Sequence, residues 1–507
     1  MPKTKLRRII SGSVIAAVVI ALCGASYALC ENYFSFFSKP EKDPPAIVSD
    51  GDGNPHRETV DDSRPTEETV RKKYVRITTA TYLRAKSSYS AEHLALLDVG
   101  CDGLYLDEDE EYYKISYENN KTGWVLKDKS EIIEKDVTVR HIPKKPSDMP
   151  YSMADTSEGD RLEEILSGYA AVGASVAVIK DGNVAYHYEY GYANKEDKNN
   201  PVPVNVNTKY RIASISKVMT SMLAMAETED GILDLDANLS DLFGYRFYNP
   251  KYPSTSLTMR MLLTHTAGLS TEEGLYSESI YAVASGEKYY RAMPGNSFAY
   301  SNLGMGIAGA AVEKAADQFL SVYARERFFV PMGIDASYDG SLLADTSLVA
   351  DCYSNGRLSR TRESMTKPVG NSKTKPGEVF YLGQGNLLIS AVDLARVSTI
   401  LLNEGMYDGR QYLRSDTVQQ MLAVHPVNTR TKYEQCIGIR KYAGLVENRT
   451  MYYHTGTFYG ICALMAIDPS DRSGVIVITS GAHPARGDNT VFNVCNDVLQ
   501  YCYSDII

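Results

Sequence analysis

The sequence predicts an α+β protein, an antiparallel sheet with helices packed on it, preceded by a small β-barrel. Three observations carry this. The segments ASVAVIKDG and NVAYHYEYGYAN have strand-like apolar patterns and meet at Asp181-Gly182, a pair suited to a tight hairpin. Strand character returns near 451–480, where MYYHTGTFYGICALMAIDP and SGVIVITSG mix alternating and continuous apolar residues, as neighbouring antiparallel strands do, while helical patterns dominate between. Residues 73–135 instead hold short strand-like pieces, YVRITTATYLRA, HLALLDVG, EYYKISYE and KTGWVL, broken by polar turns. Helical patterns in DRLEEILSGYAA and TVFNVCNDVLQYCYS bracket the larger sheet. Its region of about 350 residues suffices for a substantial core and exceeds a typical single domain.

In chain order, residues 1–8 form a basic tail (Lys3, Lys5, Arg7, Arg8) and 9–29 an uncharged, mainly apolar run from Ile9 to Leu29. The run is long enough to span a bilayer and longer than a usual cleavable core, which favours a signal anchor with a cytoplasmic N-terminus and exported bulk. The competing reading is secretion after cleavage near Ala28, where Ser26-Tyr27-Ala28 has small residues in suitable places. Leu22 and Leu29 precede Cys23 and Cys30, so a lipid-modified cysteine is not expected. Residues 30–72 read as a disordered stalk, rich from 38 onward in Pro, Asp, Glu, Ser and Gly. The barrel occupies 73–135, a linker containing HIPKKPSDMPYSMADTS occupies 136–157, and the main domain occupies 158–507.

The net charge of −10 and pI near 5.5 argue against a nucleic-acid surface. The acidic run Asp107–Glu111 lacks the spacing of a calcium loop and reads as a solvated turn. The eight cysteines form neither a metal motif nor a dense disulfide framework. Cys462 reads as packing, and Cys495 and Cys502 are too far apart on a helix for easy bridging. Neither the cysteines nor the acidic run points to a metal site.

Chemistry concentrates in three motifs. In RIASISKVMTSMLAM, Ser214 and Lys217 lie one helical turn apart where a helix begins. A desolvated, neutral lysine can take the proton of a serine nucleophile. The same spacing recurs from Ser285, Ser364 and Ser372, but only Ser214 leads into a sustained apolar run, in which Val218, Met222, Leu223 and Met225 would bury one face and Gly231 would end the helix. In FAYSNLGMGIAGAA, Tyr300 suits a proton shuttle beside an ammonium, and Asn302 can hold the lysine and a substrate amide. Tyr117–Asn119, Tyr192–Asn194 and Tyr353–Asn355 share that spacing and read as turn or core tyrosines. In the 451–468 strand, His454 and Thr455 suit a carboxylate, Gly456 lets a substrate approach, and the Thr457 amide can join that of Ser214 as an oxyanion hole. A lone strand histidine is more often structural.

In this order SISK, YSN and HTG resemble the three motifs of penicillin-recognising serine hydrolases of the class C β-lactamase and D-alanyl-D-alanine carboxypeptidase type. LLTHTAGL (262–269) and the run 385–413 are similar to further stretches of that superfamily, and the resemblance covers about residues 158–505. It implies an all-helical subdomain beside the sheet, the active site at their junction, an acyl-enzyme on Ser214 with Lys217 as proton acceptor and Tyr300 as shuttle, and no cofactor. Histidine rather than lysine at 454 resembles certain carboxypeptidases and esterases and weakens an antibiotic-resistance reading. YLRAKSSYS, the strand pair after it and NNKTGWV, with the chain's one tryptophan, Trp124, resemble bacterial SH3-like domains. That resemblance implies peptidoglycan contact through 73–135; the alternative is a spacer barrel whose Trp124 is core. The expectation is therefore a membrane-anchored, extracytoplasmic serine hydrolase acting on D-alanyl peptides or related amides and esters, D-Ala-D-Ala carboxypeptidase-like. The alternatives are a β-lactamase or broad esterase, and a non-catalytic wall-binding protein or penicillin sensor.

Overall fold

The computed structural model describes residues 66–507 apart from the short segments 118–120, 142–149, 271–278, 285, 287–289, 371–373, 428–430 and 488–489. The expected anchor at 9–29, its basic tail and most of the stalk lie outside the described residues. Among the described residues no helix is long and apolar enough to cross a membrane.

The N-terminal strands are β1 (Thr66–Ile77), β2 (Thr81–Arg84), β3 (His93–Leu97), β4 (Asp102–Glu108), β5 (Tyr112–Tyr117), β6 (Lys121–Leu126) and β7 (Ser130–His141). They form one seven-stranded antiparallel sheet in the order β3-β2-β6-β5-β4-β1-β7. Val75, Ile77, Leu83, Leu97, Ile115 and Val125 make its core. No pairing among the described residues joins β3 to β7, so a closed barrel is not shown. β1 and β7 pair from Thr66↔His141 to Ile77↔Ser130, so the expected stalk and linker boundaries at 73 and 136 both fall inside this ribbon. β-branched residues along it, such as those of the Thr69↔Thr138 and Val70↔Val137 pairs, favour extended backbone. Trp124 is half-buried and outside the core, with Lys114 Nζ 5.7 Å from its ring centroid, so it is not the core residue of the spacer reading. The acidic run is a turn in which Asp109 Oδ1 accepts the N–H groups of Glu111 and Tyr112.

The main domain opens with β8 (Tyr151–Ser152) and α1 (Ser157–Gly168), capped by Thr156, whose hydroxyl accepts the Gly159 N–H. β9 (Gly173–Lys180) and β10 (Asn183–Asn194) follow as the expected hairpin, with Asp181 and Gly182 both at positive φ, as a two-residue turn requires. After β11 (Val202–Pro203) and β12 (Lys209–Arg211), the chain becomes helical through α2 (Ser216–Glu229) and α3 (Asn302–Ala316). β13 (Cys352–Ser354) and β14 (Arg357–Arg360) form a small hairpin, and β15 (Leu388–Ser390) pairs with β12. α4 (Ala391–Leu402) and the short pair β16 (Met406–Tyr407) and β17 (Arg410–Gln411) precede β18 (Glu434–Gln435), β19 (Arg440–Tyr442), β20 (Met451–Phe458), β21 (Ile461–Asp468) and β22 (Ser473–Ser480). The chain closes with α5 (Asn493–Tyr501).

The nine-stranded sheet runs β11-β10-β9-β22-β21-β20-β19-β18, with β8 parallel to β10 at one side and every other pairing antiparallel. Every residue of β21 and β22 is buried, because helices cover both faces. Alternation divides these strands between two cores. Ala177, Ile179, Met465 and Ile476 pack with α2, α3 and α4, whereas Val176, Val178, Leu464 and Val475 pack with Leu162 of α1 and Val498 of α5. All six described cysteines are free.

One buried acid in the helical part yields a stability test. Glu227 of α2 is buried, neither carboxyl oxygen has a hydrogen-bond partner among the described residues, and burial pushes its pKa to about 9. An unfolded carboxyl titrates near its ordinary value of 4.5. Between these values the folded state holds the extra proton, so this group costs stability as pH rises, by about 1.4 kcal/mol per unit, and levels off above pH 9. The urea midpoint is expected to fall from pH 6 to pH 9, and to fall less in Glu227→Gln. Equal slopes in the two proteins would exclude Glu227 as the cause.

Candidate active site

Ser214 sits where β12 turns into α2. Ile212 donates its N–H to the Leu387 carbonyl (3.0 Å), a 3-10 turn spans Ala213–Ile215, and Ser216 begins the α-helix. Ala213 takes φ of 50°, a left-handed conformation that costs an alanine energy and is held here by its surroundings. Ser216 Oγ accepts the Leu387 N–H (3.1 Å), and Tyr338 Oη donates to the Ser216 carbonyl (3.1 Å). The expected single buried face of α2 is a correction: every residue from Ser216 to Glu227 is buried, because the helix runs through the core. Gly231, at φ 71°, follows the helix end as expected.

Lys217 is fully buried, with Nζ 3.0 Å from Ser214 Oγ and donating to the Gln384 carbonyl at 2.6 Å. Burial pushes the amine below its ordinary value, against the opposing pull of Tyr300; Arg440 lowers it further. Tyr300 hydrogen-bonds to Lys217 and Ser214. Burial alone would raise its phenol, but the charges of Lys217 and Arg440 and these hydrogen bonds bring it below the ordinary value. Asn302, the first residue of α3, lines the cleft with a buried Oδ1 that has no hydrogen-bond partner among the described residues. It is an unsatisfied acceptor, and the expected hydrogen bond from Lys217 to it is not formed.

The sequence reading assigned no role to His265, although it lies within LLTHTAGL. Its backbone is left-handed, φ 57°, and its carbonyl accepts the Ala299 N–H (2.8 Å) while its Nδ1 accepts the Ser301 N–H (3.2 Å). Its ring lies 4.5 Å from that of Tyr300. Both neighbours of Tyr300 are thus tied to one residue. Burial keeps this imidazole neutral, well below its ordinary pKa.

On β20 the motif residues divide between two environments. Thr455 and Thr457 line the cleft; His454 does not. His454 is buried with its ring 6.4 Å from Tyr300, donates from Nδ1 to the Thr455 carbonyl (2.8 Å), and is kept neutral by burial and by Arg440. It therefore backs the site rather than offering a charge to a carboxylate. Gly456 is required sterically, since a Cβ there would lie 2.3 Å from the Ile212 carbonyl oxygen, so β20 meets the Ser214 turn backbone to backbone. β19 pairs with β20 only over Met451–Tyr453, leaving the edge beyond free of a strand partner beside the cleft.

The cleft measures about 470 Å³ and is lined by Ser214, Tyr300, Asn302, Thr455 and Thr457 together with residues not foreseen: Arg211, Gln384, Tyr433, Arg440 and Arg486 among them. Arg440 is 8% exposed and stands over three tyrosines, 4.6 Å from the Tyr433 ring centroid, 5.4 Å from Tyr300 and 6.0 Å from Tyr453. It has no carboxylate partner among the described residues. The signal that could have found it is a basic residue directly after the apolar run Cys436–Ile439 in YEQCIGIRKYAG. A larger groove of about 1020 Å³, lined by Asn403, Tyr407, Gln419 and Lys441 among others, contains none of the motif residues. Of the competing motifs, Ser364 is exposed and donates to the Thr361 carbonyl, Tyr192 is exposed, and Tyr353 is a core residue whose hydroxyl accepts the Lys195 N–H. Ser285, Ser372 and Asn119 lie outside the described residues.

Comparison with known proteins bears on the family and the fold. The family described as Beta-lactamase matches residues 159–493. The protein flp of Staphylococcus aureus is 25% identical over 170 residues, 32% of this chain and 33% of that protein. The chain thus spans about a third of the length of such curated relatives. Among solved structures, a class C beta-lactamase superposes with a TM-score of 0.54 at 19% identity, covering 69% of this chain and 96% of that one. The D-alanine carboxypeptidase AmpC from Burkholderia cenocepacia gives 0.50 at 20% identity, covering 64% and 93%. At such identities the likeness is one of fold.

Proposed function

Because the chain belongs to the beta-lactamase family, we propose that it is a serine hydrolase acylated on Ser214, with D-alanyl peptides ending in a free carboxylate as its substrates. Neutral Lys217 takes the Ser214 proton as Oγ bonds to the scissile carbonyl. The oxyanion is held by the amides of Ser214 and Thr457. That proton passes through Tyr300 to the leaving amine as the C–N bond breaks, leaving acyl-Ser214, and water then attacks with the proton flow reversed. The observation that carries the carboxylate is the charge of the cleft. Arg211, Arg440 and Arg486 line it together with no Asp or Glu, although the whole chain has a net charge of −10. Arg440 is nearly buried and has no carboxylate beside it among the described residues, so its charge is desolvated without being neutralised, a state that an anion relieves.

The test compares diacetyl-Lys-D-Ala-D-Ala with its C-terminal amide. Compared at each protein's own pH optimum, Arg440→Ala is expected to lower kcat/KM on the acid by about 10²-fold and on the amide by less than about threefold. Equal losses would assign Arg440 to tuning Lys217 and Tyr300 and remove the support for a carboxylate. The β-lactamase alternative shares acylation and differs in deacylation, so a persistent penicillin adduct favours the carboxypeptidase and rapid lactam turnover the lactamase. The basic tail and apolar run at 9–29 support an exported, membrane-anchored enzyme, with release after cleavage near Ala28 as the alternative; peptidoglycan contact through 73–135 remains part of the proposal.

A further inference from the structure

β20 gives the cleft a direction. Arg440 pairs in register with Tyr453, before the His454–Gly456 motif; the Ser214 turn lies against Gly456; Phe458 ends the strand. A substrate whose carboxylate meets Arg440 and whose scissile carbonyl meets Ser214 therefore carries its upstream residues past Phe458 and Tyr459. There the side chains form a stack leading out of the cleft. Arg211 covers Phe458 at 3.8 Å, Phe458 meets Tyr459 edge-on at 4.6 Å, and Arg360 of β14 stands 4.8 Å over the Tyr459 ring.

Tyr459 belongs to no hydrophobic core of the described residues. It occupies a hairpin turn at φ 44°, where Gly, Asn or Asp avoids strain, and the residue is 49% exposed. The turn is firmly seated: a Cβ at Gly460 would lie 1.7 Å from the Tyr353 carbonyl oxygen, and Gly481 donates its N–H to the Gly460 carbonyl. Arg357 and Arg360 are exposed on β14 and have no carboxylate partner among the described residues.

We infer that Phe458, Tyr459 and Arg360 form an extended subsite for an acidic residue in the acyl-donor part of the peptide, its carboxylate on Arg360 and its carbon chain across Tyr459. This rests on the proposed carboxylate-terminated substrate and concerns specificity, with no part in bond breaking.

The test measures kcat/KM for acetyl-Glu-Lys(acetyl)-D-Ala-D-Ala, its Gln counterpart and acetyl-D-Ala-D-Ala. The Glu peptide is expected to exceed the Gln peptide by about fivefold at low salt, and the ratio to shrink toward one at 0.5 M NaCl. Arg360→Gln is expected to bring the ratio to one with acetyl-D-Ala-D-Ala unchanged. Tyr459→Asn, which suits the left-handed turn, is expected to keep or raise Tm while lowering kcat/KM on both extended peptides but not on the dipeptide. A wild-type ratio of one, or a ratio unaltered in Arg360→Gln, overturns the subsite while leaving the proposed reaction standing. Cleavage of none of the three overturns the reaction and the subsite together.

Discussion

Ser214→Ala is expected to lower kcat/KM by at least about 10⁴-fold and to abolish the mass adduct formed with a fluorescent penicillin, with Tm shifted by no more than about 2 °C. The expectation combines two features. Oγ is a small group on a half-buried turn, so its removal leaves little cavity, and both of its partners keep another: Lys217 still donates to the Gln384 carbonyl and Tyr300 still hydrogen-bonds to Lys217. The other hydroxyls lining the cleft, those of Thr455, Thr457 and Thr490, are not paired with a desolvated amine, and Tyr300 is held between Lys217 and Ser214. None is placed to substitute as nucleophile. Intact mass over time, with steady-state turnover beside it, reads both consequences; retained turnover would overturn the nucleophile assignment whatever the adduct did.

The parts of this site legible in the sequence are those whose chemistry is local. Ser214 and Lys217 are joined by helix geometry, so three residues of sequence fix their separation. The Asp181-Gly182 turn is likewise written in two residues. Gly456 was readable as a point of close approach, although only the fold shows that the approaching backbone is that of Ile212. Arg440 and His265 were not legible in the same way. Each acts through contacts with residues distant in the chain: Arg440 with Tyr300 and Tyr433, His265 with Ala299 and Ser301. His454 shows the converse failure. Its place in a motif suggested a ligand-facing side chain, but the strand buries it behind the cleft and leaves Thr455 and Thr457 at the surface. The N-terminal boundaries were misplaced for a similar reason, since the segments at 66–72 and 136–141 look like linkers singly and become strands only by pairing with each other.

Lys217→Met is expected to cut kcat/KM by about 10³- to 10⁴-fold while leaving the fold at least as stable. Methionine fills nearly the same volume, and the loss in folding is that of three hydrogen bonds, to the Gln384 carbonyl, Ser214 Oγ and Tyr300, of which only the first is to a backbone group. Against that stands the gain of no longer desolvating an amine. With its folded pKa below the ordinary 10.5, Lys217 binds fewer protons folded than unfolded. Wild-type stability from this group therefore rises with pH through the window from the lowered value to 10.5 and is reduced below it. The variant loses that dependence and gains most on the acid side. Activity follows the same proton. The rising limb of kcat/KM against pH reports a neutral Lys217 and lies below 10.5, and the falling limb reports the Tyr300 phenol and lies below 10, each as a property of the coupled pair. Arg440 lowers both groups, so Arg440→Ala should move both limbs to higher pH on the amide substrate, which needs no carboxylate partner. An unchanged profile in Arg440→Ala would separate that charge from the Lys217–Tyr300 pair, and near-normal turnover by Lys217→Met would assign the Ser214 proton to Tyr300 instead.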